Sequence, residues 1–279
     1  MIRLIALDFD GTIAEYEQAF DAHMAHHLER WQQMGIHVVV ASGRPFRSLK
    51  RILDALPGEL PIVSSNGNIL RYKNSLKTLH ASYMSPELIE TNIRLLRKRG
   101  IHPVFHVDGY EKGYDLAVLE PPSPRERTYI EKYENRCITV TPETIAMEKV
   151  LVIAAYMTPA QFDAYVAQPE IQRSSGQYHS LKSLNREFNL IEVVEASSNK
   201  FRAVQHYAQL MGIGPDEILA AGDDMNDLSM VEGAAIGIAM PTAPEVVRRA
   251  ADYVAEKPAR DYGLFPLINK ILEEEGYGH

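Results

Sequence analysis

The sequence has very little cysteine: Cys137 is the one cysteine among 279 residues, so no disulfide can form within the chain. The first residues lack the basic segment and apolar run of a secretory signal peptide, and no window approaches the ~18 uninterrupted apolar residues of a membrane span. Long blocks of Lys or Arg are also missing, and the net charge is −8, which disfavours binding to a nucleic-acid backbone. We therefore expect a protein of the reducing cytoplasm whose partner is neither a membrane nor a nucleic acid.

The composition is that of a soluble globular protein, with 46% hydrophobic and 24% charged residues. Strand-like apolar runs alternate with helical segments, a pattern that predicts an α/β fold with a doubly wound, Rossmann-like parallel sheet. The middle third has its own mixture of helices and strands, which indicates a second α/β unit inserted into the first. We expect a core formed by residues 1–81 and 191–279 and an inserted domain formed by residues 82–190.

Two acids follow the first predicted strand, which is the apolar run of residues 2–7. Asp8 and Asp10 are separated by one residue, so on an extended backbone their side chains lie on the same side, at the carboxyl end of the strand. Ligands of open α/β sheets bind at that edge. Because two close carboxylates repel each other when buried, the pair predicts a hard metal ion, although an acidic turn ending in Gly11 is the simpler alternative.

Polar residues follow other predicted strands in the same way. Residues 36–41 lead into Ser42 and Gly43 before a helix, which is typical either of an anion site or of an ordinary N-capping serine. Residues 61–63 run into the tight-turn signal Asn66-Gly67, which predicts a hairpin. Residues 218–221 end in a second acidic cluster that contains Asp223. Several of these groups are therefore expected at one edge of the sheet.

Together these pieces supply a nucleophile, a general acid and base, a Mg²⁺ site and positive charge, which phosphoryl transfer requires. Their order resembles the motifs of the haloacid dehalogenase superfamily of phosphatases, which match Asp8-x-Asp10-Gly11-Thr12, Ser42, Lys200 and Gly222-Asp223-Asp224-x-Asn226-Asp227. The large insertion, together with residues 41–45 and 237–240, resembles the Cof-type branch, which carries a bulky α/β cap. The resemblance spans the whole chain.

The resemblance implies a role for each matched residue. Asp8 would be the nucleophile that takes the phosphoryl group, and Asp10 the acid that protonates the leaving oxygen and later activates water. Mg²⁺ would be held by Asp8, the backbone carbonyl of Asp10 and Asp223. Thr12 and Asp227 would support the site from behind these ligands. The residues implied to bind the phosphoryl group are Asp8, Ser42, Gly43, Lys200 and Asn226, and Ser42 and Lys200 also count among the catalytic residues.

The sequence departs from the family pattern beside Lys200, where Phe201 replaces the usual glycine, and at Pro241-Thr242-Ala243, where Asn-Ala is usual. We expect a phosphatase that acts on small phosphorylated metabolites, sugar phosphates first and phosphorylated cofactors next. A phosphomutase of the same superfamily, a phosphoaspartate signalling module and a catalytically silent binding protein are alternatives. The oligomeric state is left open. Residues of the insertion that are candidates for contacting the leaving group are His102, His106, Tyr110, Tyr114, Tyr178 and His179.

Overall fold

The structure is a computed structural model that describes residues 1–16, 18–174, 176–181, 189–195 and 198–277, without the side chains of residues 176–181. The strands are β1 (Leu4–Asp8), β2 (His37–Ala41), β3 (Pro61–Ser64), β4 (Ile69–Tyr72), β5 (Thr78–Ala81), β6 (Val104–Val107), β7 (Leu116–Val118), β8 (Cys137–Thr139), β9 (Val150–Met157), β10 (Gly176–Leu181), β11 (Asn189–Glu195), β12 (Ile218–Gly222), β13 (Ile236–Ala239) and β14 (Tyr253–Val254). The helices are α1 (Ala22–Gln33), α2 (Phe46–Leu53), α3 (Pro86–Arg97), α4 (Pro124–Glu131), α5 (Pro142–Ile145), α6 (Pro159–Val166), α7 (Pro169–Gln172), α8 (Lys200–Leu210), α9 (Leu228–Gly233), α10 (Glu245–Ala250) and α11 (Leu264–Leu272).

The chain divides into two compact units, one formed by Met1–Ala81 with Ser198–His279 and the other by Ser82–Ser197. The second unit is thus an insertion in the first. Its end differs from the expected boundary at residue 190, because β11 pairs along its length with β9 and β10. Residues 191–195 therefore belong to the inserted unit and not to the core.

The sheet of the first unit has the strand order β14-β13-β12-β1-β2-β3-β4-β5. The strands from β14 to β3 are parallel, and the hairpin of β3 and β4, with β5 beyond it, adds antiparallel strands at one edge. The chain leaves β1 toward β2 on one side and returns to β12 on the other. β1 therefore lies at the switch point of a doubly wound sheet, where the crevice outside the carboxyl ends of the strands binds ligands.

The core of the first unit explains why β1 reads as a continuous apolar run. All five residues of β1 are buried, as expected for a parallel strand covered on both faces. On one face Leu4 and Ala6 pack with Val204 and Phe201 of α8. Helix α1 begins at Ala22, where Asp21 caps it by accepting the backbone N–H of Met24.

The sheet of the inserted unit has the order β10-β11-β9-β6-β7-β8. One face is apolar, and there Phe105, Ile153 and Ile191 pack in a single cluster with Leu96 of α3 and Tyr165 of α6. In the part of the chain that the structure describes, no helix is both long enough and apolar enough to cross a bilayer.

The candidates for contacting the leaving group have different surroundings in this unit. His102 precedes β6, the strand that contains His106. His106 is buried, and its Nε2 lies 2.6 Å from the hydroxyl of Tyr129. The Tyr114 hydroxyl donates to Glu148 at 3.1 Å. The side chains of Tyr178 and His179 lie outside the described residues. His106 is thus part of an internal hydrogen-bonded pair, because its neighbours on the sheet are covered by α4.

Candidate active site

The turn that follows β1 brings the first acids to the carboxyl edge of the sheet. The carbonyl of Phe9 accepts the backbone N–H groups of Ile13 and Ala14, both at 3.0 Å, which folds the chain back on itself. Gly11 has φ +83°, and a Cβ added to it would lie 2.2 Å from Oδ2 of Asp223. A glycine is needed here both for the left-handed backbone and for the close approach of the β12 loop.

Lys200, the first residue of α8, joins two buried acids, Asp8 at the end of β1 and Asp227 in the loop after β12. Its Nζ donates to Oδ1 of Asp8 at 2.6 Å and to Oδ1 of Asp227 at 2.7 Å. The three residues are 1%, 4% and 0% exposed, respectively. Buried charges are stable only when they are paired, so Lys200 offsets the repulsion between these two carboxylates. The structure thus places Lys200 beside Asp8.

Both carboxylate oxygens of Asp227 accept hydrogen bonds from the protein. Its Oδ2 accepts the backbone N–H groups of Asp223 and Asp224, each at 3.1 Å, while its Oδ1 is held by Lys200. Thr12 donates from its hydroxyl to Oδ1 of Asp223 at 3.3 Å. These contacts fix the loop after β12 and orient the Asp223 side chain. They fit the supporting positions that the resemblance implies for Thr12 and Asp227.

The acids form a compact, strongly coupled cluster. Asp8, Asp223 and Asp227 each offer an oxygen, and these oxygens all lie within 4.8 Å of one another. Burial, and next the charge of Asp227, raises the pKa of Asp8 well above its usual range and that of Asp223 to about 7. Burial opposes the charge of Lys200, but Asp227 and Asp8 outweigh it and raise the pKa of the lysine. Lys200 alone therefore does not relieve the crowding of negative charge.

This donor set fits a hard divalent cation. Carboxylate oxygens are the ligands that Mg²⁺ prefers, and a cation between crowded carboxylates lowers the free energy of their ionised forms. Both carboxylate oxygens of Asp227 accept hydrogen bonds, and the carboxylates of Asp8 and Asp223 accept fewer. Asp8 and Asp223 therefore have more lone pairs that can bind a cation than Asp227 has.

Asp10 is separated from this cluster by an ion pair that the sequence did not predict. The Nε of Arg44 donates to its Oδ2 and the Nη2 of Arg44 to its Oδ1, both at 2.6 Å. The guanidinium also lies 5.7 Å from the centre of the Phe9 ring, and its pKa is raised by the hydrogen bond to Asp10. A bidentate pair of this kind fixes orientation as well as charge. Its signal in the sequence was an arginine two residues after Ser42, in the loop that follows β2, the strand neighbouring β1.

Ser42 is buried at the end of β2 and is not the N-cap of α2. Pro45 occupies that N-cap position, while the Ser42 hydroxyl accepts the backbone N–H of Arg44 at 3.1 Å. Gly43 lies against Asn66, because a Cβ at Gly43 would be 3.0 Å from Oδ1 of Asn66. The amide of Asn66 in turn accepts a hydrogen bond from Nδ2 of Asn226 at 3.0 Å. The loops after β2, β3 and β12 therefore meet.

The residues at both departures from the family pattern pack closely against their neighbours. Phe201 is buried, and a Cβ at Gly233 would lie 2.2 Å from its ring, so the aromatic ring fills the space over that glycine. The residue after Lys200 can therefore be a large aromatic one, because Gly233 leaves room for the Phe201 ring. After β13, the backbone N–H of Ala243 donates to the carbonyl of Met240 at 3.0 Å, and Ala243 packs against Val247.

Comparisons with known proteins agree on one family. The model of a family described as haloacid dehalogenase-like hydrolase matches residues 5–265. The chain is 25% identical to a 5-amino-6-(5-phospho-D-ribitylamino)uracil phosphatase of Bacillus subtilis, over 97% of this chain and 98% of that protein. It is 24% identical to a pyridoxal phosphate phosphatase of Escherichia coli, over 90% and 92% of the two chains. In structure it is similar to TM0651 of Thermotoga maritima, with a TM-score of 0.80, 20% identity and 97% of each chain covered.

Proposed function

The chain belongs to the haloacid dehalogenase-like hydrolase family and is a phosphoric monoester hydrolase, and from this premise we propose a mechanism for it. We propose that it hydrolyses small phosphate monoesters through an aspartyl-phosphate on Asp8, with Mg²⁺ as its cofactor. The observation that carries the proposal is the position of Asp8. Its buried carboxylate ends the central strand and is held by Lys200 at 2.6 Å within an acidic cluster.

In the first half of the reaction, an oxygen of Asp8 attacks the phosphorus of the monoester and the bond to the leaving oxygen breaks. Lys200 neutralises charge on Asp8 and on the phosphoryl group, and the Ser42 hydroxyl and the Gly43 backbone N–H donate to phosphoryl oxygens. Asp10 protonates the leaving oxygen. Because Arg44 occupies both oxygens of Asp10, this ion pair must open and Asp10 must take up a proton before it can protonate the leaving oxygen.

In the second half, Asp10 removes a proton from a water molecule that attacks the phosphorus of the aspartyl-phosphate; the bond between phosphorus and the Asp8 oxygen breaks and inorganic phosphate is released. Asp8 is regenerated with its original oxygens. The proton that Asp10 gives to the leaving oxygen in the first half is replaced by the one that it takes from water in the second. Asp8, Asp223 and the backbone carbonyl of Asp10 would hold Mg²⁺, which supplies positive charge that neutralises phosphoryl oxygens. Thr12 and Asp227 keep the Asp223 loop in place for this purpose.

The substrates that we propose are small polar metabolites, sugar phosphates first and phosphorylated cofactors such as pyridoxal phosphate or flavin mononucleotide next. Two relatives are named for 5-amino-6-(5-phospho-D-ribitylamino)uracil and for pyridoxal phosphate, which supports a small monoester as the substrate. The single cysteine supports a cytoplasmic location. We assign neither nucleic acid nor membrane as a partner, and the oligomeric state stays open.

The test is a panel of phosphorylated metabolites assayed with the purified protein in Mg²⁺. We expect stoichiometric release of inorganic phosphate and of the free alcohol from at least one small monoester. A phosphomutase would instead convert a hexose phosphate into its isomer without net phosphate release. A protein that keeps a stable aspartyl-phosphate and never turns over would be a signalling module. Either of these results would replace the hydrolase mechanism.

Replacing Asp10 tests its proton-transfer role separately. We expect Asp10→Asn to slow turnover by about 10²–10⁴-fold, the usual loss when a general acid or base is removed. An aryl phosphate with a good leaving group needs little protonation, so the first step should suffer less there and phosphorylated Asp8 should accumulate. The measurement is a rapid-quench time course, in which a burst of phenol is followed by little turnover. Equal slowing with good and poor leaving groups would contradict the proton-donor role.

A further inference from the structure

Asn66 lies at a strained point of the turn between β3 and β4. Ser65 and Asn66 have φ values of +51° and +57°, two successive left-handed residues that are not glycine. The turn is held to the β2 loop by two backbone hydrogen bonds, from Ser65 to the carbonyl of Arg44 at 3.0 Å and from Asn66 to the carbonyl of Ser42 at 3.2 Å. Strain of this kind persists only where surrounding contacts impose it, and it clusters at functional sites.

The orientation of the Asn66 amide is fixed by its neighbour. Nδ2 of Asn226 donates to its Oδ1 at 3.0 Å, so this oxygen is occupied. The Nδ2 group, at the other end of the planar amide, has two N–H donors that no acceptor among the described residues receives in a hydrogen bond. The amide lies beside Gly43, whose missing side chain leaves the space open, since a Cβ there would be 3.5 Å from Nδ2 of Asn66.

Among the residues that the structure describes, Asn226 has an unused hydrogen-bond acceptor, whereas Asn66 has unused donors. Its Nδ2 is used on Asn66, and its Oδ1 is buried without a hydrogen-bond donor from the described residues. An oxygen acceptor repels the oxygens of a phosphoryl group, which also only accept. A role for Asn226 as a direct phosphate ligand, which the resemblance implied, is therefore less consistent with this geometry than a role in holding Asn66.

We propose that Asn66 is a further substrate-binding residue, and that Asn226 is a positioning residue that acts through it. The two N–H groups of Asn66 donate to the phosphoryl oxygens, beside the Ser42 hydroxyl and the Gly43 backbone N–H. The ligand class is a phosphate monoester or inorganic phosphate. This inference rests on the proposed function, because it assumes that the phosphoryl group binds at the carboxyl edge of β1 and β2.

Asn66→Asp and Asn66→Gly separate binding from backbone structure. Aspartate still accepts the hydrogen bond from Asn226, but it replaces the two donors with an anion. Glycine keeps the left-handed backbone and removes the amide. We expect the inhibition constant of inorganic phosphate and the KM for an aryl phosphate to rise by about 10- to 100-fold in Asn66→Gly, the equivalent of one hydrogen bond to a charged group. The rise should be larger in Asn66→Asp because repulsion is added.

The matched control is Asn135→Asp, since Asn135 is exposed, lies in the inserted unit and has the same φ of +57°. It should leave both constants unchanged. If Asn226 acts through Asn66, Asn226→Ala should raise the same constants in the wild type but add little in the Asn66→Gly background. Additive effects would contradict the positioning role.

If the wild type releases phosphate from monoesters but both Asn66 variants keep its KM and its inhibition by phosphate, the inference on Asn66 is wrong while the proposed function stands. If the wild type releases no phosphate from any monoester of the panel, the proposed function itself fails. Should Asn66→Asp melt at the assay temperature, Asn66→Gly decides the question on its own.

Discussion

Asp8→Asn is expected to lower the rate of phosphate release from an aryl phosphate on the order of 10⁶-fold, the scale of loss when an enzyme's nucleophile is removed. An amide oxygen is a far weaker nucleophile than a carboxylate and cannot form the aspartyl-phosphate. Folding should not suffer, because burial and Asp227 already raise the pKa of Asp8 and thus disfavour its charge in the folded state. Thermal melting should show a midpoint no lower than that of the wild type.

The control for this change is Asp216→Asn, which alters an exposed aspartate at the opposite, amino end of β12. It should retain full activity. Mass spectrometry after rapid acid quench should find a phosphorylated peptide containing Asp8 in the wild type and none in Asp8→Asn. Turnover of Asp8→Asn at a rate near that of the wild type would show that another group attacks the phosphorus.

Removal of divalent metal is expected to have an effect of similar size. With excess chelator, phosphate release should fall to the background of the assay, and Mg²⁺ added beyond the chelator should restore it. The reason is electrostatic: Lys200 provides one positive charge among three carboxylates whose oxygens lie within 4.8 Å. A phosphate dianion cannot approach such a cluster closely without further positive charge.

Asp223→Asn tests whether Asp223 is a ligand of the metal ion. It removes one anionic ligand and leaves the Thr12 contact possible, so the Mg²⁺ concentration for half-maximal activity should rise or activity should be lost. Asp224→Asn is the matched control, because Asp224 is exposed and an asparagine can still accept the backbone N–H of Met225 that Asp224 caps. Full activity in excess chelator would contradict the metal site altogether.

The doubly wound parallel sheet and the edge at which the acids meet follow from the sequence. The run that becomes β1 is short, wholly apolar apart from Arg3 and followed by acids, and a parallel strand buried on both faces has that pattern. The hairpin at Asn66-Gly67 was also indicated by its residues and is observed. Such features depend on local pattern, which the sequence records directly.

Features that depend on side chains meeting across loops were not predictable in the same way. The ion pair of Asp10 and Arg44 joins residues 34 positions apart, and the amide pair of Asn66 and Asn226 joins residues 160 positions apart. No periodicity marks either pair. The boundary near residue 190 was misplaced for a related reason, since only its partner strands show that β11 continues the inserted sheet.

The interruption of the first unit by Ser82–Ser197 has a consequence for biosynthesis. During translation, Asp8 leaves the ribosome long before Lys200, its partner 192 positions later, has been synthesised. One edge of β1 likewise has no hydrogen-bonding partner until β12 emerges. Because unpaired apolar edges promote aggregation and distant contacts form slowly, we expect the early nascent chain to be the stage at which this protein is most prone to aggregate.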